Sequence, residues 1–264
     1  MQITAHTPTV LGVEIEMLST PLDSSIINAA VTQYWRVSVV ELTASTQSDV
    51  VALVQKGKAQ AGDVIAAEFQ SAGRGRLSRS FDAPQSTALL FSFYIQPTRN
   101  REDWGWLSLI AGVSVAQTLS KYGARVKWPN DILIKDKKVS GLIAEAVGDG
   151  VVIGIGINVA MALSELPVQT ATSLLIEGAE NLTRNQLLAD LLNTFEGNFT
   201  PWDQGENEIA DVYLALSATV GSKVRVEYPG GRTESAVAVA ISPKGELVLD
   251  SGAHVQAGDI VHLR

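Results

Sequence analysis

Val139-Ser-Gly-Leu-Ile-Ala-Glu-Ala-Val147, Gly148-Asp-Gly150, Val151-Val-Ile-Gly-Ile-Gly-Ile-Asn-Val159: two apolar, β-branched runs are joined by a three-residue glycine turn. Branched side chains fit a pleated, half-buried surface, so both runs read as strands. A turn this short leaves no room for a crossover, so the strands must run antiparallel. The pair therefore predicts an α+β fold: a mixed or antiparallel sheet with helices on one face, and not a doubly wound parallel sheet. Gly154 and Gly156 mark a place where a ligand or another backbone comes close.

Upstream, Arg125-Val-Lys-Trp-Pro-Asn-Asp-Ile-Leu-Ile-Lys135 carries a proline that cannot donate to a ladder, so the chain turns or reaches a sheet edge at Pro129. Asp136-Lys-Lys138 reads as a tight turn. Residues Trp104 to Tyr122 have helical spacing, with Leu107, Ile110, Ala111, Ser114 and Val115 on one face and Gly123 as C-cap. Trp104 and Trp106 are read as packing residues. Earlier strands are predicted at Arg36–Leu42, Asp63–Phe69 and Thr87–Ile95, and a helix begins near Pro21 with Asp23 as N-cap. A hydroxyl-rich cluster, Thr43-Ala-Ser-Thr-Gln-Ser48, precedes an apolar helix that ends at Gly57. Its side chains either cap that helix or face a ligand.

Downstream, helices are predicted from Thr183 to Phe199 and from Glu206 to Leu214. Beyond Leu216 the pattern changes to five short β segments separated by Pro229-Gly-Gly, Pro243-Lys-Gly, Ser251-Gly and Ala257-Gly-Asp. Regular short strands indicate a small barrel or sandwich. With about 48 residues it is near the lower limit for independent folding, so it should dock on the rest. The expected division is 1–215 and 216–264, with residues 1–20 a loosely held arm.

The 264 residues are 46% hydrophobic, enough for a sizeable core, and include no cysteine. Disulfides, thiolate catalysis and cysteine-bound metals are excluded, and the composition fits a cytoplasmic protein. No signal peptide or membrane-length apolar run is present. The net charge of −8 argues against bulk nucleic-acid binding. Yet Gln70–Gly141 holds 11 Lys/Arg against 5 Asp/Glu, and Leu142–Ser222 holds 1 against 11. A basic segment in an acidic chain focuses field on a local anion site.

That segment begins with Glu68-Phe-Gln-Ser-Ala-Gly-Arg-Gly-Arg-Leu-Ser-Arg-Ser-Phe81, where two glycines and three arginines stand among hydroxyls and amides. Glycine admits close backbone approach, and arginine offers forked donors to carboxylate or phosphate. His6, His254 and His262 lack metal-ligand spacing, and no nucleophile elbow, Walker A loop or complete G-x-G-x-x-G occurs. The remaining chemistry is charge neutralisation and positioning, which suits phosphoryl or nucleotidyl transfer.

Two stretches in order, Gln70–Phe81 and Lys127-Trp-Pro-Asn-Asp131 with Lys138-Val-Ser-Gly141, resemble the signatures of the biotin protein ligases. Ser45-Thr-Gln47 stands where that family has a Ser-Thr-Asn biotin contact, and Gly154-x-Gly-x-Asn158 and the Gly-Asp-x-Val-His-Leu ending also fit. The resemblance covers roughly residues 36–264. It implies a class II synthetase-like catalytic domain followed by a small SH3-like β-barrel. It also implies two half-reactions. Biotin and ATP, with Mg2+, give biotinyl-5'-AMP and pyrophosphate; a lysine of a carboxylase's biotin carboxyl carrier domain then displaces AMP.

Residue roles carried by the resemblance are as follows. Ser45, Thr46, Gln47 and Gln70 bind biotin's polar ring. Arg74, Gly75 and Arg76 form the loop over the adenylate, with Arg76 also catalytic. Lys138 bridges biotin's carboxylate and the α-phosphate. Lys127, Trp128, Asn130 and Asp131 shape the nucleotide and metal region, with Mg2+ held through the phosphates and by Asp131, and Gly141 and Asn158 line the pocket. Gln47, Ser78 and Phe81 depart from the family's Asn, Gly and Trp. Some members carry an N-terminal helix-turn-helix; the roughly 35 residues before the first strand are too few for it and imply a monofunctional protein. A monomer or weak homodimer is expected. A lipoate or octanoate ligase, or a non-catalytic biotin-binding regulator, are the alternative readings.

Overall fold

The computed structural model describes residues 15–76, 79–256 and 258–263. His6, Ser78 and most of the predicted N-terminal arm lie outside them. Seven strands make the large sheet: β1 (Arg36–Thr43), β2 (Asp63–Gln70), β3 (Ala88–Ile95), β4 (Arg125–Lys127), β5 (Asp131–Ile134), β6 (Lys137–Val147) and β7 (Gly150–Asn158). Their order is β1-β2-β3-β7-β6-β5-β4. The β6–β7 hairpin is antiparallel, as its turn requires, and pairs Val147 with Gly150. Only β1–β2 is parallel, joined through helix α2 (Thr46–Gln55), so the sheet is mixed.

Strands β3 and β7 are buried along their whole length. Being covered on both faces, they favour apolar side chains on both sides, which is why their sequences are apolar except at Ser92 and Asn158. On one face, Val64, Phe91, Phe93, Ile153 and Ile155 join the main core. Helices α1 (Ser24–Ala30), α3 (Gly105–Thr118), α4 (Arg184–Asp203) and α5 (Ile209–Leu216) cover that face. On the other, Ile65, Tyr94, Val147 and Val152 form a smaller cluster with Val50 and Val51 of α2. Among the described helices longer than one turn, α2 alone lies on this second face.

Local chemistry sets the helix ends. Asp23 accepts from the backbone N–H groups of Ser25 and Ile26, and Thr183 from that of Gln186. Both side chains satisfy donors that the first helical turn leaves free. Beyond α3 the chain makes a short 3-10 turn to Tyr122 and stops at Gly123, whose φ is +70°. A buried ion pair ties the start of α4 to the sheet: Arg184 reaches Glu68 of β2 at 2.7 Å, and both are nearly solvent-free.

The five C-terminal strands, β8 (Lys223–Glu227), β9 (Thr233–Ile241), β10 (Leu247–Leu249), β11 (His254–Val255) and β12 (Asp259–His262), form an antiparallel sheet in the order β11-β10-β9-β8-β12. Its apolar face, with Val224, Val226, Leu247 and Ile260, is continuous with the main core. The β9–β10 turn seats on the start of α3. Trp106 Nε1 donates to the Pro243 carbonyl at 2.9 Å, and Trp128 Nε1 to that of Gly245 at 3.2 Å. A Cβ on Gly105 would stand 2.2 Å from the Lys244 carbonyl oxygen, so only glycine admits this approach.

Candidate active site

Pairing across the sheet assembles the site from distant parts of the sequence. Lys127 faces Asp131, Asp131 faces Gly141, Gly141 faces Gly156, and Gly156 faces Leu90, one residue from each of five neighbouring strands. The next row on the same face is Ile143, Gly154 and Ser92. All eight line a cavity of about 260 Å3 on the face that carries α2. The paired glycines make its floor. Side chains there would fill it: a Cβ on Gly154 would lie 2.6 Å from Gln47 Oε1, and one on Gly156 within 2.7–2.9 Å of the Phe81 ring.

A β-bulge aims Lys138 at this floor. Ile132 pairs with Ser140, but the next residue, Leu133, pairs with Lys138, so Val139 is an extra residue. Val139 and Leu142 enter the main core, while Lys138 emerges on the cavity face. Strict alternation would have sent Lys138 into the core, since odd positions from Gly141 onward face the cavity. Lys138 Nζ rests 2.5 Å from Asp131 Oδ1, with both side chains partly exposed.

The glycine–arginine loop forms the opposite wall. Arg74 bridges to Ser80, the Gly75 N–H donates to the Arg79 carbonyl at 2.7 Å, and the Phe81 N–H donates to that of Gly73 at 2.9 Å. Arg74 pairs with Glu145 at 3.2 Å, and Arg79 pairs with Asp259. Arg76 instead donates to the neutral Asn130 Oδ1 at 3.0 Å, and Asn130 is itself anchored by donating to the Leu142 carbonyl at 2.7 Å. Burial pushes the Arg76 guanidinium below its ordinary pKa, partly offset by Asp259 and Asp131. A half-buried cation whose side-chain partner among the described residues is an amide is well placed to receive an anion.

The deep end is polar. The Thr46 N–H and hydroxyl both contact Gln70 Oε1, at 2.7 and 3.0 Å, and the hydroxyl lies 2.9 Å from Ser92 Oγ. Gln47 donates to the Val152 carbonyl at 3.2 Å. Ser45 occupies the N-cap position of α2 but makes no side-chain capping bond. Among the described residues, Ser45 Oγ and Gln47 Oε1 are buried with no hydrogen-bond partner. Unsatisfied buried polar atoms are costly, so a pair of them here marks a place for a polar guest.

Of the residues singled out from sequence, Ser45, Thr46, Gln47, Gln70, Arg74, Gly75, Arg76, Lys127, Trp128, Asn130, Asp131, Lys138 and Gly141 all border the cavity. Asn158 does not; its amide donates to the Thr172 carbonyl at 2.9 Å and holds the following loop. Phe81 packs on Ala83, Ala88, Leu90 and Met161 at the rim. Sequence reasoning missed Ser92, Ile143 and the contribution of the C-terminal sheet, namely Glu227, Asp259, Ile260 and Val261. Ser92 and Ile143 could have been found by extending the glycine rows across the sheet. The C-terminal residues depend on how two sheets dock, which no local pattern records.

Comparison with known proteins gives a consistent answer. Residues 39–160 match the biotin/lipoate A/B protein ligase family. The biotin--[acetyl-CoA-carboxylase] ligase of Mycobacterium tuberculosis is 38% identical over 241 residues, covering 87% of this chain and 90% of that protein. The bifunctional ligase/repressor BirA of Escherichia coli is 34% identical over 176 residues, 63% of this chain and 55% of its own length. Among solved structures, the biotin protein ligase from Aquifex aeolicus in complex with biotin and ATP superposes with a TM-score of 0.74 at 26% identity, covering 86% of this chain and 98% of that one.

Proposed function

This chain belongs to the biotin protein ligase family, and from that premise we propose that its cavity activates biotin with ATP and passes it to a protein lysine. Biotin's carboxylate oxygen attacks the α-phosphorus of ATP, the bond to pyrophosphate breaks, and biotinyl-5'-AMP forms. The lysine amine of a carboxylase's biotin carboxyl carrier domain then attacks the acyl carbon. AMP leaves, the nitrogen loses a proton, and an amide remains. No step needs an enzyme nucleophile, so the work falls on positioning and charge.

The observation that carries biotin, as against lipoate or octanoate, is the pair of buried unpartnered atoms, Ser45 Oγ and Gln47 Oε1. Biotin's ureido ring has N–H donors and a carbonyl to offer them. A dithiolane or alkyl chain has neither and would leave both unsatisfied, and a site built for polar partners rejects such analogues strongly, by about 10^4-fold. Lys138 and Arg76, at the other end, neutralise the carboxylate and α-phosphate as charge shifts between them. Lys127 and Asn130 shape the region the phosphates enter.

Magnesium fits as a passenger on ATP. Asp131 gives one carboxylate beside the phosphate region, and among the described residues no cluster of three or more His, Asp or Glu could hold a resident ion. A cation carried on the phosphates needs only one or two protein carboxylates. We place the reaction in the cytoplasm, where ATP and carboxylases meet. We also take 1–215 as the catalytic domain and 216–264 as a second domain that completes the wall of the site.

The test is pyrophosphate exchange into ATP with each acid in turn, followed by transfer to an isolated carrier domain. Exchange with biotin and not with lipoate is expected. Exchange with lipoate alone would overturn the reading, and biotin binding without exchange would make the protein a regulator.

A further inference from the structure

One carboxylate of the C-terminal sheet reaches across the site to the glycine–arginine loop. Asp259, on the edge strand β12, lines the cavity and pairs with Arg79. Its register partner on β8, Glu227, also lines the cavity but is held by Arg225 of its own strand, at 3.1 and 2.9 Å. Asp259 is therefore the carboxylate of this sheet that is spent across the cavity. Arg79 is tied to the rest of the wall by its backbone. Its carbonyl accepts from the Gly75 N–H at 2.7 Å, and its N–H donates to the Arg76 carbonyl at 3.1 Å. A pull on Arg79 is thus a pull on Arg76. The far end of the pull is fixed, because the C-terminal sheet is bolted to α3 and Trp128 through Pro243 and Gly245.

We propose that Asp259 is a positioning residue: by holding Arg79 it sets Arg76 against the bound adenylate, so that retention of the adenylate depends on the C-terminal sheet. The inference rests on the biotinyl-adenylate reading above. A second consequence follows from charge. With Asp259 on Arg79, Glu145 on Arg74 and Asn130 on Arg76, Arg76 is the loop arginine whose side-chain partner among the described residues is uncharged. The pairing thereby directs the ligand's phosphate to one guanidinium instead of three.

The experiment preforms adenylate on the enzyme from biotin and MgATP, then measures its rate of escape. Asp259→Asn and Arg79→Gln should each speed escape about fivefold, the scale of a partly exposed ion pair. The double variant should be no faster than either single one, because both remove the same link. Asp259→Glu should keep the wild-type rate. Added NaCl should speed escape from the wild type more steeply than from either variant, because only the wild type has this pair to screen. Arg79 is largely exposed, so Arg79→Gln carries the test alone if Asp259→Asn folds poorly. Additive effects, unchanged escape in Arg79→Gln, or equal salt slopes would overturn the proposal. A wild type that forms no adenylate at all would instead remove the function on which it rests.

Discussion

Two ion pairs in this protein are built from similar groups to opposite ends. Glu68 and Arg184 are almost without solvent, and most of their other hydrogen-bonding capacity is taken up, Arg184 Nε being without a partner among the described residues. Glu68 also accepts from the Leu22 N–H and the Ser86 hydroxyl, and Arg184 also donates to the Ala88 and Thr20 carbonyls. Lys138 and Asp131 are partly exposed and touch chiefly each other. A charge pair that is fully enclosed cannot change partners without an uncompensated charge being left in the interior. A half-open pair can, because water and an incoming phosphate replace the lost contact. The first pair holds the chain in place, and the second is poised for exchange.

The contrast can be broken from either side. The largest effect is expected at the open pair, in chemistry: Lys138→Ala should slow biotinyl-adenylate formation about a thousandfold, as loss of a transition-state donor does, measured by pyrophosphate exchange. Normal exchange in that variant would remove Lys138 from the reacting centre. Next, Glu68→Gln should lower unfolding free energy by about 3 kcal/mol, since it strands a buried guanidinium; urea melts at pH 7 read this directly.

The same pair makes a pH prediction. Burial raises the Glu68 pKa, but the Leu22 N–H, Arg184 and the Ser86 hydroxyl together hold it below its ordinary value of 4.5. A carboxyl depressed in the folded state stabilises fully above its unfolded pKa, and that stability is lost as pH falls through the folded pKa. The stability gap between wild type and Glu68→Gln should therefore be constant near neutrality and close progressively below about pH 4.5. A gap that widens with acid would reverse the sign of the argument. The smallest effect is expected where the open pair is broken for stability alone: Asp131→Asn should change the unfolding free energy by less than about 0.5 kcal/mol in calorimetry.

Much of this was readable in the sequence, for reasons that differ by element. The β6–β7 hairpin was legible because the short Gly148-Asp-Gly150 segment leaves room for antiparallel pairing alone, and Gly150 itself joins β7 opposite Val147. Helices α1 and α4 were legible at their starts because Asp23 and Thr183 do what short polar side chains do there. Ser45 looks identical by that rule and behaves otherwise: it stands at the N-cap and leaves its hydroxyl unpaired. Local sequence could not separate the two uses, since the difference lies in what the cavity beside it lacks. Asn158 looked like a pocket residue by its place after Gly154-x-Gly156, yet it secures the Thr172 loop instead. Asp259 was invisible as a site residue because it is about 180 positions from Arg79 and meets it only when the sheets dock.

Val139, the extra residue of the β6 bulge, has a consequence for how such chains are judged by eye. Its side chain is part of the core, and nothing about its chemistry is special. What matters is that it is skipped in the pairing. Pairing it residue for residue with Leu133 would leave Lys127-Trp-Pro-Asn-Asp131, Lys138 and Gly141 all present as letters, while restoring even alternation along the strand and turning the ammonium toward the opposite side of the sheet. A relative could then keep each recognisable residue and be inert. For this architecture, the pairing register of the signature carries as much of the activity as the residues that spell it.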